Sequence, residues 1–90
     1  MARVEEFYRY VKYPLITEKS VLMVERENKV TLIVDKRATK PLLKKLISEY
    51  FGVKVKKVNI MNTHRGEKKA IITFYNTDDA LKVATSLGIL

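Results

Sequence analysis

Residues 53–75 constrain the fold of this chain more than any other stretch. They read Val-Lys-Val-Lys-Lys-Val-Asn-Ile-Met-Asn-Thr-His-Arg-Gly-Glu-Lys-Lys-Ala-Ile-Ile-Thr-Phe-Tyr. Val58, Ile60 and Asn62 alternate with Lys57, Asn59 and Met61. Further on, Ala70, Ile72 and Phe74 alternate with Lys69, Ile71, Thr73 and Tyr75. Period-two alternation with β-branched residues predicts two half-buried strands. Thr63-His64-Arg65-Gly66 lies between them, and a short loop with Gly at its end predicts a hairpin. One face of the hairpin is expected to pack on helices. The other carries lysines and amides, which suit an anion better than a core. Val53 and Val55 are out of phase with Val58, so either a bulge lies at Lys56-Lys57 or the regular strand begins there.

The elements around the hairpin follow from local signals. Residues 7–13, Phe-Tyr-Arg-Tyr-Val-Lys-Tyr, are aromatic and β-branched, which predicts a short edge strand stopped by Pro14. Thr17 is expected to cap a helix running to about Glu27, with Ile16 and Val21 as a hydrophobic staple and Glu18 in the first turn. Asn28-Lys29 ends that helix. Val30, Leu32 and Val34, alternating with Thr31 and Ile33, predict a second strand. Leu42, Leu43, Leu46, Ile47, Tyr50 and Phe51 form one broad apolar stripe, so a helix starts at Thr39 or Lys40 and stops at Gly52. A last helix is expected from Thr77, burying Ala80, Leu81, Ala84 and Leu87 and ending at Gly88. The predicted order is strand, helix, strand, helix, strand, strand, helix. The expected architecture is α+β, with one sheet packed against three helices.

Composition bounds the function. Ninety residues fit a single domain that buries about two-thirds of its unfolded surface. There is no Cys, hence no disulfide framework, thiolate metal site or thiol nucleophile. The longest fully apolar run is Val21 to Val24, far below the roughly 20 residues of a membrane span. Met1 to Glu6 contain no apolar signal-peptide core. No membrane insertion is expected.

Charge is distributed unevenly. The formal net charge is +8. Residues 36–69 hold eleven Lys or Arg against Glu49 and Glu67, a net +9, and the rest of the chain sums to −1. The excess therefore falls in one helix and one hairpin. A localised basic surface is the electrostatic footprint of a phosphate backbone. An anionic membrane fits less well, because no helix combines a basic face with exposed large apolar residues. The candidate RNA contacts are Lys12, Lys36, Arg37, Lys40, Lys44, Lys45, Lys54, Lys56 and Lys57. Asn59, Asn62, Thr63, His64, Arg65, Lys68 and Lys69 complete the set.

Catalysis finds little support. His64 is the only histidine and lies in a basic loop, as a nucleic-acid contact or a plain loop residue. Thr17, Ser20 and Thr77 are explained as caps or helix residues. The three glycines are scattered and form no phosphate loop. No enzyme, metal or cofactor is expected. Residues 65–74 superficially resemble the core strand of an RNA recognition motif, in which aromatic residues stack on bases. Here Glu67 and Lys69 occupy those places, so the stacking platform is missing. A free RNA-binding regulator of that class is the alternative reading.

A broader resemblance covers nearly the whole chain. Tyr13-Pro14-Leu15-Ile16-Thr17-Glu18-Lys19-Ser20 resembles the opening motif of the large-subunit ribosomal protein family numbered twenty-three. Val58-Asn59, Gly66-Glu67-Lys68-Lys69-Ala70, Asp79-Ala80 and Leu87-Gly88-Ile89-Leu90 match its archaeal and eukaryotic branch in order and spacing. The resemblance implies a four-stranded antiparallel sheet in the order 1-2-4-3. It also implies a monomer within the ribosome, bound to large-subunit rRNA beside the nascent-chain exit tunnel among neighbouring ribosomal proteins. There it would help to dock factors such as signal recognition particle and the translocon. The short loop departs from the long bacterial hairpin tip that lines the tunnel. The basic N-terminal extension of eukaryotic members is absent, so the archaeal type fits best. Glu18 matches the acidic residue that docks a chaperone in bacterial members; a helix-start role is its other reading.

Overall fold

The computed structural model describes residues 4–89. The elements run α1 (Val4–Tyr10), β1 (Val11–Pro14), α2 (Glu18–Glu27), β2 (Lys29–Val34), α3 (Lys40–Phe51), β3 (Val55–Asn62), β4 (Lys68–Phe74) and α4 (Asp79–Ser86). The four strands form one antiparallel sheet in the order β1-β2-β4-β3. The α+β architecture and the strand order are as expected.

The opening strand is a correction. Residues 7–10 are helical, so the described residues form four helices, and the strand is confined to Val11–Pro14. Local preference for strand gives way to one anchor. Phe7 is fully buried, stacks on Tyr50 with centroids 4.1 Å apart, and meets Phe51 edge-on at 5.6 Å. A helix lets Phe7 and Tyr10, three residues apart, turn inward while Tyr8 and Arg9 face solvent. Glu5 and Glu6 in the first turn and Arg9 in the last complement the dipole.

Capping sets the other boundaries. Thr17 opens α2 in a capping box: its hydroxyl accepts from the Ser20 N–H, and the Ser20 hydroxyl accepts from the Thr17 N–H. The expected staple is weak, because Ile16 is 57% exposed. Asn28 closes α2 in the left-handed region at φ 56°. Thr39 caps α3, Pro41 sits in its first turn, and Gly52 ends it at φ 66°. For α4 the start shifts from Thr77 to Asp79, and the buried stripe is Ala80, Val83 and Ala84. Leu81, expected inside, is 43% exposed.

The sheet has two unlike faces. Val30, Leu32, Val34, Val58, Ala70, Ile72 and Phe74 pack in the core with Leu43 and Ile47 of α3 and Ala80, Val83 and Ala84 of α4. Cross-strand pairs Val58↔Ile72 and Ile60↔Ala70 belong to this face. Lys57↔Thr73, Asn59↔Ile71 and Met61↔Lys69 belong to the other. The register slips between Val55 and Lys57, so the parity change is a bulge inside β3. Strand β2 does not alternate in burial: Thr31 and Ile33 are as buried as Leu32. It lies between β1 and β4, and its Thr31 carbonyl also accepts from the Leu15 N–H.

Candidate nucleic-acid interface

Folding gathers part of the basic segment into a groove. Lys40 and Lys44 lie one turn apart on α3, Lys56 is the extra residue of the β3 bulge, and Lys57 follows it. These four lysines, with Pro41 and Val58, line one shallow depression between helix and edge strand. All four are exposed. Among the described residues, ion pairs join only Lys29 to Glu27 and Arg37 to Asp35, so none of the four is neutralised by a carboxylate. Four ammonium groups converging on a groove attract a polyanion without reading bases. Lys45 and Lys54 are exposed elsewhere on α3 and just before β3.

A second basic group occupies one end of the sheet. Val34, Lys68 and Asn62 are register partners across β2, β4 and β3, so the β2–α3 turn and the hairpin tip share that end. The tip is a tight loop. Thr63 N–H donates to the Glu67 carbonyl at 2.8 Å, and Gly66, at φ 78°, donates to the Thr63 carbonyl at 3.0 Å. This geometry projects His64 and Arg65 into solvent. Lys36 is exposed on the neighbouring turn.

Two candidates at this end already serve the protein itself. The Lys68 ammonium donates to the Lys36 carbonyl at 3.0 Å and the Ala38 carbonyl at 2.6 Å, pinning the turn to the hairpin. The Arg37 guanidinium pairs with Asp35 at 3.0 Å and lies 5.8 Å from the Tyr10 ring centre. The Arg37 backbone N–H and guanidinium both donate to the Asp35 carboxylate and hold it below its usual range.

The open sheet face carries Lys57, Asn59 and Lys69, together as the alternation predicted. Lys57 belongs to both face and groove. Lys12 stands apart: it lies on β1, at the opposite sheet edge from β3. Glu67, the one acid of the hairpin loop, accepts a hydrogen bond from the Tyr13 hydroxyl. That bond raises the Tyr13 phenol above its ordinary range. No signal local to either residue foretold a contact across the sheet.

Glu18 is exposed in the first turn of α2, and Glu25 and Glu27 are exposed further along. None of the three lies in the lysine groove. Among the described residues, no group of three His, Cys, Asp or Glu could hold a metal ion. No described helix is long and apolar enough to cross a membrane.

Comparison with known proteins adds a second line. Residues 9–88 match the family model described as Ribosomal protein L23. The chain is 43% identical over 79 residues to large ribosomal subunit protein uL23 of Methanococcus aeolicus, covering 88% of this chain and 92% of that protein. It is 41% identical over 80 residues to large ribosomal subunit protein uL23 of Pyrobaculum aerophilum, covering 89% of this chain and 99% of that one.

Proposed function

Because the chain belongs to the ribosomal protein L23 family, we propose that it grips large-subunit rRNA through the α3–β3 lysine groove at the rim of the nascent-chain exit tunnel. It is a structural, non-enzymatic constituent of the large ribosomal subunit, associated with rRNA and other ribosomal proteins, and the two relatives described above are archaeal. The observation that carries the groove reading is the convergence of Lys40, Lys44, Lys56 and Lys57 without a paired acid. Lys57, Asn59 and Lys69 extend the contact over the open face, and His64 and Arg65 extend it along the hairpin tip. The whole chain acts as one rRNA-binding unit. Glu18, with Glu25 and Glu27, stands apart from the lysine groove and contributes to the docking surface for exit-site factors, signal recognition particle and the translocon among them.

Co-sedimentation with large subunits tests this reading. The wild-type chain should travel with the subunit through a low-salt gradient. A variant with all four groove lysines changed to Gln should fold normally and leave a much larger share near the top. A wild-type chain left in the high-speed supernatant at low salt would overturn the ribosomal assignment. A quadruple variant that sediments like wild type would remove the groove from the interface.

A further inference from the structure

We propose that a pocket between the start of α2 and the open sheet face receives one unstacked base of the bound rRNA. The proposal rests on the rRNA-binding reading above. Leu15, Met23, Met61 and Ile71 give the pocket an apolar lining. It holds about 180 Å³, below the roughly 300–1,000 Å³ of sites for drug-sized ligands, so it admits one planar base or one side chain.

Thr31 decides between these occupants. It lines the pocket, is 3% exposed, and its hydroxyl oxygen has no hydrogen-bond partner among the described residues. A buried hydroxyl without a partner is costly, and few are tolerated without a reason. An aliphatic side chain from a protein would leave that cost in place. The polar edge of a base would remove it. Met23 and Met61 are unbranched and adaptable, and Met61 is 43% exposed, so this part of the lining can adjust to an incoming base. Lys19 and Lys69 also line the pocket, and neither is in an ion pair among the described residues. They supply charge for the phosphates on either side of a splayed nucleotide. Sequence-specific RNA recognition uses unstacked bases of this kind. At this one point the protein would read sequence, whereas the lysine groove reads only backbone.

Base-specific chemical probing of in vitro transcribed archaeal large-subunit rRNA tests it, with wild type, Thr31→Val and Thr31→Ser. One nucleotide should be protected by wild type and by Thr31→Ser, and become reactive with Thr31→Val while other protections persist. The affinity of Thr31→Val should fall about tenfold, the effect of one lost hydrogen bond. Its melting temperature should not fall, because an unpaired hydroxyl has been removed. If Thr31→Val does melt lower, Lys19→Gln decides, since that position is exposed: the same nucleotide must gain reactivity, and unchanged probing overturns the proposal. A wild-type footprint and affinity in Thr31→Val would overturn the pocket and leave rRNA binding standing. Intact rRNA binding with impaired capture of a neighbouring ribosomal protein would assign the pocket to a protein side chain, which also overturns it. A wild-type chain protecting no nucleotide would bring down both this proposal and the function it rests on.

Discussion

The side-chain oxygen of Asn28 accepts from the backbone N–H of Ala80 at 3.0 Å, so the residue that closes α2 also opens α4. Its amide nitrogen donates to the carbonyls of Phe74 and Asn76 at 3.1 and 2.8 Å. Asp78, the residue before α4, makes no side-chain cap of its own. One asparagine thus ties the end of one helix, the end of β4 and the start of another helix together.

Asn28→Ala should therefore be more damaging than an ordinary surface substitution. Losing a cap costs about 1 kcal/mol, and forcing Ala into the left-handed region adds roughly 1–2 kcal/mol. Asn28→Gly relieves the second penalty but not the first, so it should be intermediate. Chemical denaturation of the three proteins measures this. Equal stability of the Gly variant and wild type would show that the α4 cap contributes nothing.

The two sheet faces should respond in opposite ways. Phe74 is 3% exposed, and Phe74→Ala should destabilise the fold by roughly 3–5 kcal/mol. Lys57→Gln with Lys69→Gln should leave the melting temperature nearly unchanged and weaken binding to rRNA. Thermal melts and filter binding on both proteins check it, and the reverse pattern would refute the assignment of faces.

Salt should dissociate the complex steeply. Counterion release gives log affinity a linear fall with log salt, with a slope of about −0.7 to −0.9 per neutralised phosphate. Changing all four groove lysines to Gln should make the slope shallower by roughly 3. A flat dependence in the wild type would mean that phosphate contacts are not the main source of affinity.

Hairpin, caps and the α3 stripe were legible in the sequence because each is a local pattern. Lys57, Asn59 and Lys69 shared a face as period two required, and Thr17, Thr39 and Gly52 bounded helices as their chemistry required. What was hidden depended on distant partners. Phe7 looked strand-like until Tyr50 was placed beside it. The start of α4 was obscured because its cap comes from Asn28, three strands and a helix earlier in the sequence. For the site, the lysines were legible singly. Their grouping was not, because α3 and β3 meet only through tertiary packing. Nor could the sequence reveal that Lys68 and Arg37 are held by internal acceptors.

Glu18→Lys should leave ribosome incorporation intact and slow the association of an exit-site factor, since complementary charge speeds encounter. Its first-turn position is a competing cause, because losing the carboxylate there costs about 0.3–1 kcal/mol. Glu18→Gln separates the two, removing the dipole interaction without adding positive charge. Unchanged factor association on purified ribosomes carrying either variant would leave Glu18 with a helix-start role alone.

Tyr13 should titrate late. Its hydroxyl donates to Glu67, which raises its pKa above the ordinary value of about 10. For a group whose folded pKa is raised, the stabilising contribution is complete below the unfolded pKa and is lost as pH rises through the folded one. The stability difference between wild type and Tyr13→Phe should therefore persist at neutral pH and vanish in alkali. An NMR titration of the ring resonances should show the shift, and Glu67→Gln should reduce it. A Tyr13 that ionises at its ordinary pH in the wild type would rule the bond out in solution.

The bulge in β3 has a consequence for the chain before it ever meets RNA. As the last strand in the order β1-β2-β4-β3, β3 exposes unpaired backbone along one side, an invitation to strand-on-strand aggregation. The register slip between Val55 and Lys57 bends that edge, and exposed Lys54, Lys56 and Lys57 crowd it with like charge. At the other margin, β1 spans only four residues and ends in a proline. Both margins thus offer a second copy little to pair with. The same ammonium groups proposed to meet phosphate would also discourage a second copy from pairing along this edge before rRNA is bound.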